Sequence, residues 1–104
     1  MAKFSIGTTP TFTLTLPQTV DLTEAENIYF TVTQGAASVT KTGEDVTLDD
    51  AHTVSVYMAQ DETFKFRAGT VNVQLNWTYS DGSRACTNIV SVEVGDNLLK
   101  RVIE

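Results

Sequence analysis

The sequence predicts an all-β sandwich, and three observations lead to this fold. Residues 70–79 alternate strictly, with apolar side chains on one side only: Val71, Val73, Leu75, Trp77 and Tyr79. Threonine and valine are the commonest residues, which favours pleated, half-buried surfaces. Turn residues recur along the chain at a spacing of roughly ten residues, which is typical of sandwiches and barrels.

The first half of the chain contains two clear strands. Residues 11–16 (TFTLTL) place every second side chain, a Phe or Leu, inward, and Pro17 ends this strand because it lacks a donor for the ladder. Residues 27–34 (NIYFTVTQ) alternate in the same way. Between the two strands, residues 23–26 predict one helical turn.

The middle of the chain continues with shorter strands. Residues 35–37 turn the chain into a polar strand at 38–42, and its Lys41 is typical of a protected sheet edge. Residues 46–48 predict a brief strand and residues 53–58 (TVSVYM) a longer one. Next, residues 59–66 break the two-residue period and predict one α- or 3₁₀-helical turn that crosses to the other sheet.

Residues 69–94 form the long antiparallel hairpin around which the chain is organised. The turn at residues 80–83 contains Gly82, which adopts positive φ without steric cost, and the chain returns through residues 85–94. At the two ends of the chain, residues 1–10 predict an arm leading into the domain and residues 95–104 an apolar tail. The tail needs a partner surface, either its own sheet or another subunit, so four residues are candidate assembly contacts: Leu98, Leu99, Val102 and Ile103.

Together these segments predict one domain over residues 1–104. Its architecture is an immunoglobulin-like β-sandwich of about six to eight antiparallel strands with one short helical crossover. The chain lacks the paired cysteines of antibody domains, and Trp77 lies on the late hairpin rather than on an early strand. The likeness is therefore one of outline, and closure of the same strands into a barrel is the alternative.

Composition disfavours several classes of function. The net charge is -6 and the seven Lys and Arg residues are scattered, so no basic surface for nucleic acid is expected. A single cysteine excludes an intrachain disulfide and fits synthesis in a reducing cytoplasm. The first ten residues lack the apolar segment of a signal peptide, and no run approaches the about 18 apolar residues of a membrane span. We expect neither nucleic acid nor membrane among the partners.

Few residues carry recognisable chemistry. A catalytic pair would have to use His52, the only histidine, which lies in an acidic turn where a solvated loop residue is expected. Cys86 predicts a small buried core residue rather than an activated thiolate. Acidic turns could ligate calcium but match no ligand spacing: Asp45, Asp49, Asp50, Asp61 and Glu62. The sequence therefore predicts no enzyme, no catalytic or metal site and no cofactor.

The two faces of residues 70–79 raise one further question. Trp77 and Tyr79 share their side with three aliphatic residues, which favours core packing over stacking on a sugar. The opposite side is an uncharged polar ladder of Asn72, Gln74, Asn76 and Thr78. Such a ladder is either solvated or packs against another protein.

Three groups of residues carry a resemblance to a known family. They are Asp21-Leu22-Thr23 before the second strand, Gln60-Asp61-Glu62-Thr63 at the crossover, and Val73-Gln74-Leu75 followed by Asp81-Gly82 and Arg84. In this layout the chain resembles small Ig-like structural proteins of tailed phages and prophages of Gram-positive bacteria. It is similar in layout to the N-terminal domain of phage upper baseplate proteins.

The resemblance implies a non-enzymatic virion protein of the tail, baseplate or a related part, made in the bacterial host cytoplasm. Its partners would be other virion proteins and further copies of itself in a homo-oligomer. The alternative is a carbohydrate- or receptor-binding decoration module on a virion surface. That alternative requires an exposed aromatic side chain, such as Tyr29 or Tyr57, beside polar side chains.

Overall fold

The computed structural model describes residues 3–103, and this part of the chain forms nine strands in two sheets. The strands are β1 (Lys3–Ser5), β2 (Thr11–Thr15), β3 (Ala25–Gln34), β4 (Ala37–Thr42), β5 (Val46–Asp50), β6 (Thr53–Tyr57), β7 (Gly69–Tyr79), β8 (Arg84–Cys86) and β9 (Val90–Gly95). Short 3₁₀ turns occupy Leu22–Glu24 and Gly43–Asp45, and helix α1 is Gln60–Thr63. Met1, Ala2 and Glu104, the outermost residues of the predicted arm and tail, lie outside the described residues.

The strand order confirms the predicted immunoglobulin-like sandwich. The larger sheet has the order β1-β9-β7-β3-β4, with β8 also paired to β7, and the smaller sheet has the order β2-β6-β5. The smaller sheet corresponds to strands B, E and D of an immunoglobulin domain, and β3, β7 and β9 to strands C, F and G. The described strands form two separate sheets with no strand pairing between them, so the structure is a sandwich and not a closed barrel.

The N-terminal segment differs from the predicted arm. Residues Lys3–Ser5 form β1, which pairs with β9 in parallel, whereas the sequence predicts only antiparallel pairs. The physical reason is that Phe4 and Ile6 follow a two-residue period and are both buried in the core. Gly7 then turns the chain away at φ 76°, where a Cβ atom would lie 2.4 Å from the ring of Phe64.

The long hairpin is confirmed, but its returning arm is interrupted. Thr78 pairs with Arg84 and Asn76 with Cys86, whereas Val73 pairs with Val90. Two residues of β7, at 74–75, therefore face three residues of the return, at 87–89, which is a β-bulge of one extra residue. The Thr87 hydroxyl oxygen accepts the Leu75 N–H at 3.1 Å, and this side chain replaces a ladder bond. The bulge divides the predicted strand into β8 and β9.

The core lies between the two sheets and includes the predicted tryptophan. Trp77 is buried and donates its indole N–H to the Tyr79 hydroxyl at 2.9 Å, so its polar atom is satisfied. Phe12 of the smaller sheet lies with its ring centroid 5.5 Å from the centroids of both Phe4 and Phe30. These aromatic contacts join β2 to β1 and β3 across the sandwich.

The predicted crossover is also confirmed, since α1 links β6 of the smaller sheet to β7 of the larger one. The Glu62 carboxylate accepts the Ala59 N–H at 2.8 Å and caps the first turn. The same carboxylate forms an ion pair of 2.6 Å with Lys41 of β4. Thr63 is fully buried and donates its hydroxyl to the Thr8 carbonyl at 2.8 Å. The crossover is thereby attached to β4 and to the segment before β2.

Candidate interaction surfaces

The predicted assembly contacts lie in the tail after β9 and are exposed. Leu98 is 99% exposed, and the other three candidates are 45–49% exposed: Leu99, Val102 and Ile103. Single exposed apolar side chains are ordinary, but four within six residues, in two pairs on either side of Lys100 and Arg101, are of the kind found at interaction sites. The structure thus leaves the tail available to a partner.

The tail backbone is nevertheless attached to the sandwich. The Asn97 side-chain amide donates to the Ile6 carbonyl at 3.1 Å, next to the end of β1. Farther along, the Gln60 side chain forms two hydrogen bonds with the Ile103 backbone, at 2.8 and 2.9 Å. Lys100 forms an ion pair with Asp96, four residues earlier in the sequence. The tail is therefore presented on the surface at the α1 end of the sandwich and adds no strand to its own sheet within residues 3–103.

The edges of the two sheets differ in charge. Four edge strands carry charged side chains, which discourage pairing with another strand: Lys3 on β1, Lys41 on β4, Asp49 and Asp50 on β5, and Arg84 on β8. The fifth edge, β2, has the sequence TFTLT and no charge. No charged residue lies between Lys3 and Asp21. Among the described strands, β2 is the edge without this protection.

The hydrogen bonds to β6 show which backbone groups of β2 are free. The Pro10 carbonyl accepts from the Met58 N–H at 2.9 Å, and the Leu16 N–H donates to the His52 carbonyl at 2.7 Å. In an antiparallel ladder such bonded residues recur at every second position. The backbone groups of the even-numbered residues therefore face β6. The N–H and C=O groups of Thr11, Thr13 and Thr15 point to the open side of the strand.

An apolar groove runs beside this edge, between β2 and the β8–β9 segment. One part, of about 380 Å³, is lined by Leu14, Val20, Trp77 and Val90, and a second part of about 210 Å³ continues toward Phe12. Val90 pairs with the buried Val73 and so faces the core side of its sheet, yet it is 47% exposed. The sandwich is open along this seam because no described strand covers β2.

Sequence reasoning missed the exposure of Val90. In the structure Ala85 lies opposite Trp77 and Val90 opposite Val73, so both residues face inward although they are five positions apart. A regular strand with a period of two does not allow an odd separation. The bulge follows from this pairing with β7, so the sequence of the return strand carried no signal for it.

A polar groove lies on the outer face of the larger sheet. It has a volume of about 420 Å³ and is lined by Tyr29, Thr31, Thr40, Asn76, Thr78 and Arg84. The Arg84 guanidinium donates to the Asn76 side-chain oxygen at 3.0 and 3.3 Å. Tyr29 is 36% exposed at this groove, beside the predicted polar ladder. The aromatic and polar groups that the alternative function requires are thus brought together.

Two expectations about reactive side chains are wrong. Cys86 is exposed rather than buried, because β8 is an edge strand and Cys86 lies opposite Asn76 of the outward ladder. His52 is half-buried rather than a solvated loop residue, and its ring Nδ1 contacts the Val20 carbonyl oxygen. His52 lies in the turn between β5 and β6 of the smaller sheet, whereas Cys86 lies on β8 of the larger sheet.

Three carboxylates in turns accept local hydrogen bonds. The hydroxyl and N–H of Thr23 lower the pKa of Asp21, the N–H of His52 lowers that of Asp50, and Ser83 lowers that of Asp81 in the hairpin turn. These carboxylates therefore stabilise turns in their charged form. Within residues 3–103, no three His, Cys, Asp or Glu side chains are grouped so that they could hold a metal ion.

Comparison with known proteins adds no identity. The chain matches none of the protein-family models, and no curated protein has a sequence similar enough to count as a relative. The helices between residues 3 and 103 are all too short or too polar to cross a membrane. Support for an assembly role therefore comes from the geometry of the surfaces.

Proposed function

We propose that this chain is a non-enzymatic structural protein of a tailed phage or prophage virion, in the tail, baseplate or a related part, and that it acts through protein–protein assembly. The observation that carries the assembly role is the exposed apolar tail, whose backbone is bound to the sandwich by Asn97 and Gln60. The virion assignment comes from the resemblance described above.

The tail has suitable energetics for assembly. Burial of an exposed aliphatic side chain is worth about 1.5–3 kcal/mol, and the half-exposed residues gain proportionately less. Because Gln60 already restrains the tail backbone, docking loses less conformational entropy than it would from a free segment. Many such contacts in a symmetric particle add avidity to an individually modest interface.

Deletion of residues 98–104 tests the assembly role. This truncation keeps Asn97 and its bond to Ile6, so the thermal unfolding midpoint should change little while the mass in solution, measured by light scattering, falls. A full-length chain with Ser at positions 98, 99, 102 and 103 controls for length and should behave like the truncation. If both variants are incorporated into purified particles as well as the natural chain, the tail is not the assembly element.

The virion assignment needs a separate measurement. An epitope-tagged chain expressed during particle production should co-purify with particles through a density gradient, and mass spectrometry should find it at a stoichiometry typical of a structural component. If the chain is absent from particles but the tail truncation lowers the mass in solution, the virion assignment is rejected and the assembly role is retained.

The second candidate function is carbohydrate or receptor binding, and the polar groove at Tyr29 favours it. Exposed aromatic rings beside hydroxyl and amide groups are suited to ligands with one apolar and several polar surfaces. Tyr29→Ala should then abolish binding in a glycan array, whereas Tyr57→Ala is the matched control, because Tyr57 is exposed on the other sheet. An array without signal, together with unchanged adsorption for Tyr29→Ala, would remove this candidate.

A further inference from the structure

We infer that the open edge of β2 pairs with β2 of a second copy of the chain, antiparallel about a two-fold axis. The two smaller sheets would then join into one sheet of order β5-β6-β2-β2-β6-β5. This inference rests on the proposed assembly function and deepens it by naming one partner. It uses a surface separate from the tail.

The edge has the groups that strand pairing requires. Thr11, Thr13 and Thr15 present their N–H and C=O groups outward, as the bonds from Pro10 and Leu16 to the opposite side show. These three side chains are exposed and uncharged, and no proline interrupts the strand. The other edges of the described structure carry charged side chains, which discourage pairing with another strand.

The edge is also complementary to itself. With the two-fold axis at Thr13, that residue faces Thr13 of the partner subunit, and Thr11 faces Thr15 of the partner subunit. Cross-strand Thr–Thr pairs are favourable, and a two-fold interface requires that one patch fit its own copy. Since each chain has a net charge of -6, close approach of two copies favours an uncharged contact such as this one.

The apolar groove gives a second reason for pairing. Leu14 and Val90 face the core side of their sheets but remain partly exposed along the seam. Extension of the smaller sheet across the two-fold axis places the two open seams face to face. The pairing therefore removes apolar surface from water in addition to forming backbone hydrogen bonds.

The tail fits this groove less well than a second β2 does. In an extended segment alternate side chains share a face, so Lys100 would lie between Leu98 and Val102, or Arg101 between Leu99 and Ile103. Either register directs a basic side chain toward the groove, whose larger part is lined by no charged residue. The inward set of β2 consists only of Phe12 and Leu14.

Thr13→Lys tests the pairing by mass in solution. The side chain of Thr13 is exposed, so the substitution leaves the fold intact and places two positive charges together on the two-fold axis. Sedimentation equilibrium should show that the dimer dissociation constant rises by about tenfold or more. The matched control is Thr40→Lys, an exposed position on edge strand β4, which should leave that constant unchanged. Equal constants for the two variants, or a natural chain that stays monomeric at high concentration, would overturn the inference.

A disulfide cross-link tests the register of the pairing and does not depend on a loss of dimer affinity. Directly opposed, hydrogen-bonded residues have Cα atoms about 5.5 Å apart, within the range of a disulfide. In a chain with Cys86→Ser, and with dissolved oxygen as the oxidant of the two thiols, Thr13→Cys should therefore form disulfide-linked dimers about tenfold faster than Thr40→Cys, because pairing raises its effective concentration. Equal rates for the two cysteines would contradict the pairing.

The tail truncation separates this inference from the proposed function. If the pairing holds, the chain without residues 98–104 still dimerises and still cross-links through Thr13→Cys. If Thr13→Lys has no effect while the truncation abolishes assembly, the pairing is wrong and the proposed function stands. If the truncation has no effect on assembly while Thr13→Lys prevents dimer formation, the tail is wrong and the pairing stands.

Discussion

Edge strands β2 and β4 share a local pattern but differ in their surroundings. Both alternate an inward apolar residue with exposed polar ones, and each has one neighbouring strand. β4 carries Lys41, whose ion pair with Glu62 connects the strand to the crossover, and its Val39 is buried. β2 has no charge, and its Leu14 remains partly exposed at the seam. The comparison shows that the burial of an edge strand's inward side chains depends on what packs beside the strand, and not on the alternation of its own sequence.

The largest expected effect lies within β2 itself. Phe12→Ala should lower the free energy of unfolding by about 3–5 kcal/mol, since it removes a ring packed against Phe4 and Phe30. Leu14→Ala, two residues along on the same face, should cost only about 1 kcal/mol, because that side chain already contacts water. Urea unfolding at low protein concentration measures both. Equal costs would mean that the seam is closed in the monomer.

An intermediate effect is expected where β4 meets the crossover. Glu62→Gln should lower the free energy of unfolding by about 1 kcal/mol, because it weakens the cap on the Ala59 N–H and removes the ion pair with Lys41. Glu44→Gln, in the exposed 3₁₀ turn after β4, is the matched control and should change stability little.

The same carboxylate should make stability depend on pH. Partial burial raises the pKa of Glu62, but the Ala59 N–H and Lys41 together hold that pKa below its ordinary value of 4.5. A lowered folded-state pKa means that the stabilisation is present above the unfolded-state pKa and is lost as the pH falls through the folded-state value. Thermal unfolding between about pH 2 and 7 should show a steeper acid loss for the natural chain than for Glu62→Gln. Parallel profiles would contradict this assignment.

The smallest expected effect is a difference in amide hydrogen-exchange rates along β2, with no change in the free energy of unfolding. Along β2 the Leu16 N–H, which donates to His52, should exchange slowly with solvent deuterium, and the Thr13 N–H should exchange quickly in dilute solution. At high concentration the Thr13 amide should become protected if β2 edges pair. Exchange measured by NMR at two concentrations checks this, and fast exchange of Thr13 at both would argue against a paired edge.

Most of the fold could be predicted because its strands have local signals. The alternation of β2, β3 and β7 and the broken period at α1 all appear in the structure where the sequence places them. The exceptions depend on contacts that are distant in sequence. Phe4 becomes part of a strand only because β9 offers an edge about 90 residues later, and Cys86 is exposed because β8 has one neighbour.

The candidate surfaces also divide into one that could be predicted from the sequence and one that could not. An apolar tail with the candidate contacts Leu98, Leu99, Val102 and Ile103 was predictable, although the sequence left open whether its own sheet or another subunit covers it. The open seam was not, because the half-buried state of Leu14 and Val90 depends on which strand lies beside β2.

The sequence by itself determined the period of each strand, the positions of its turns and the absence of charge from residue 4 to residue 20. These properties arise from backbone preferences and side-chain polarity, which act within a few residues. Only the tertiary structure decided that β1 runs parallel to β9, that the return strand bulges at residues 87–89, and that β2 has a free edge. Such features follow from the pairing of segments distant in sequence, which local preference does not specify.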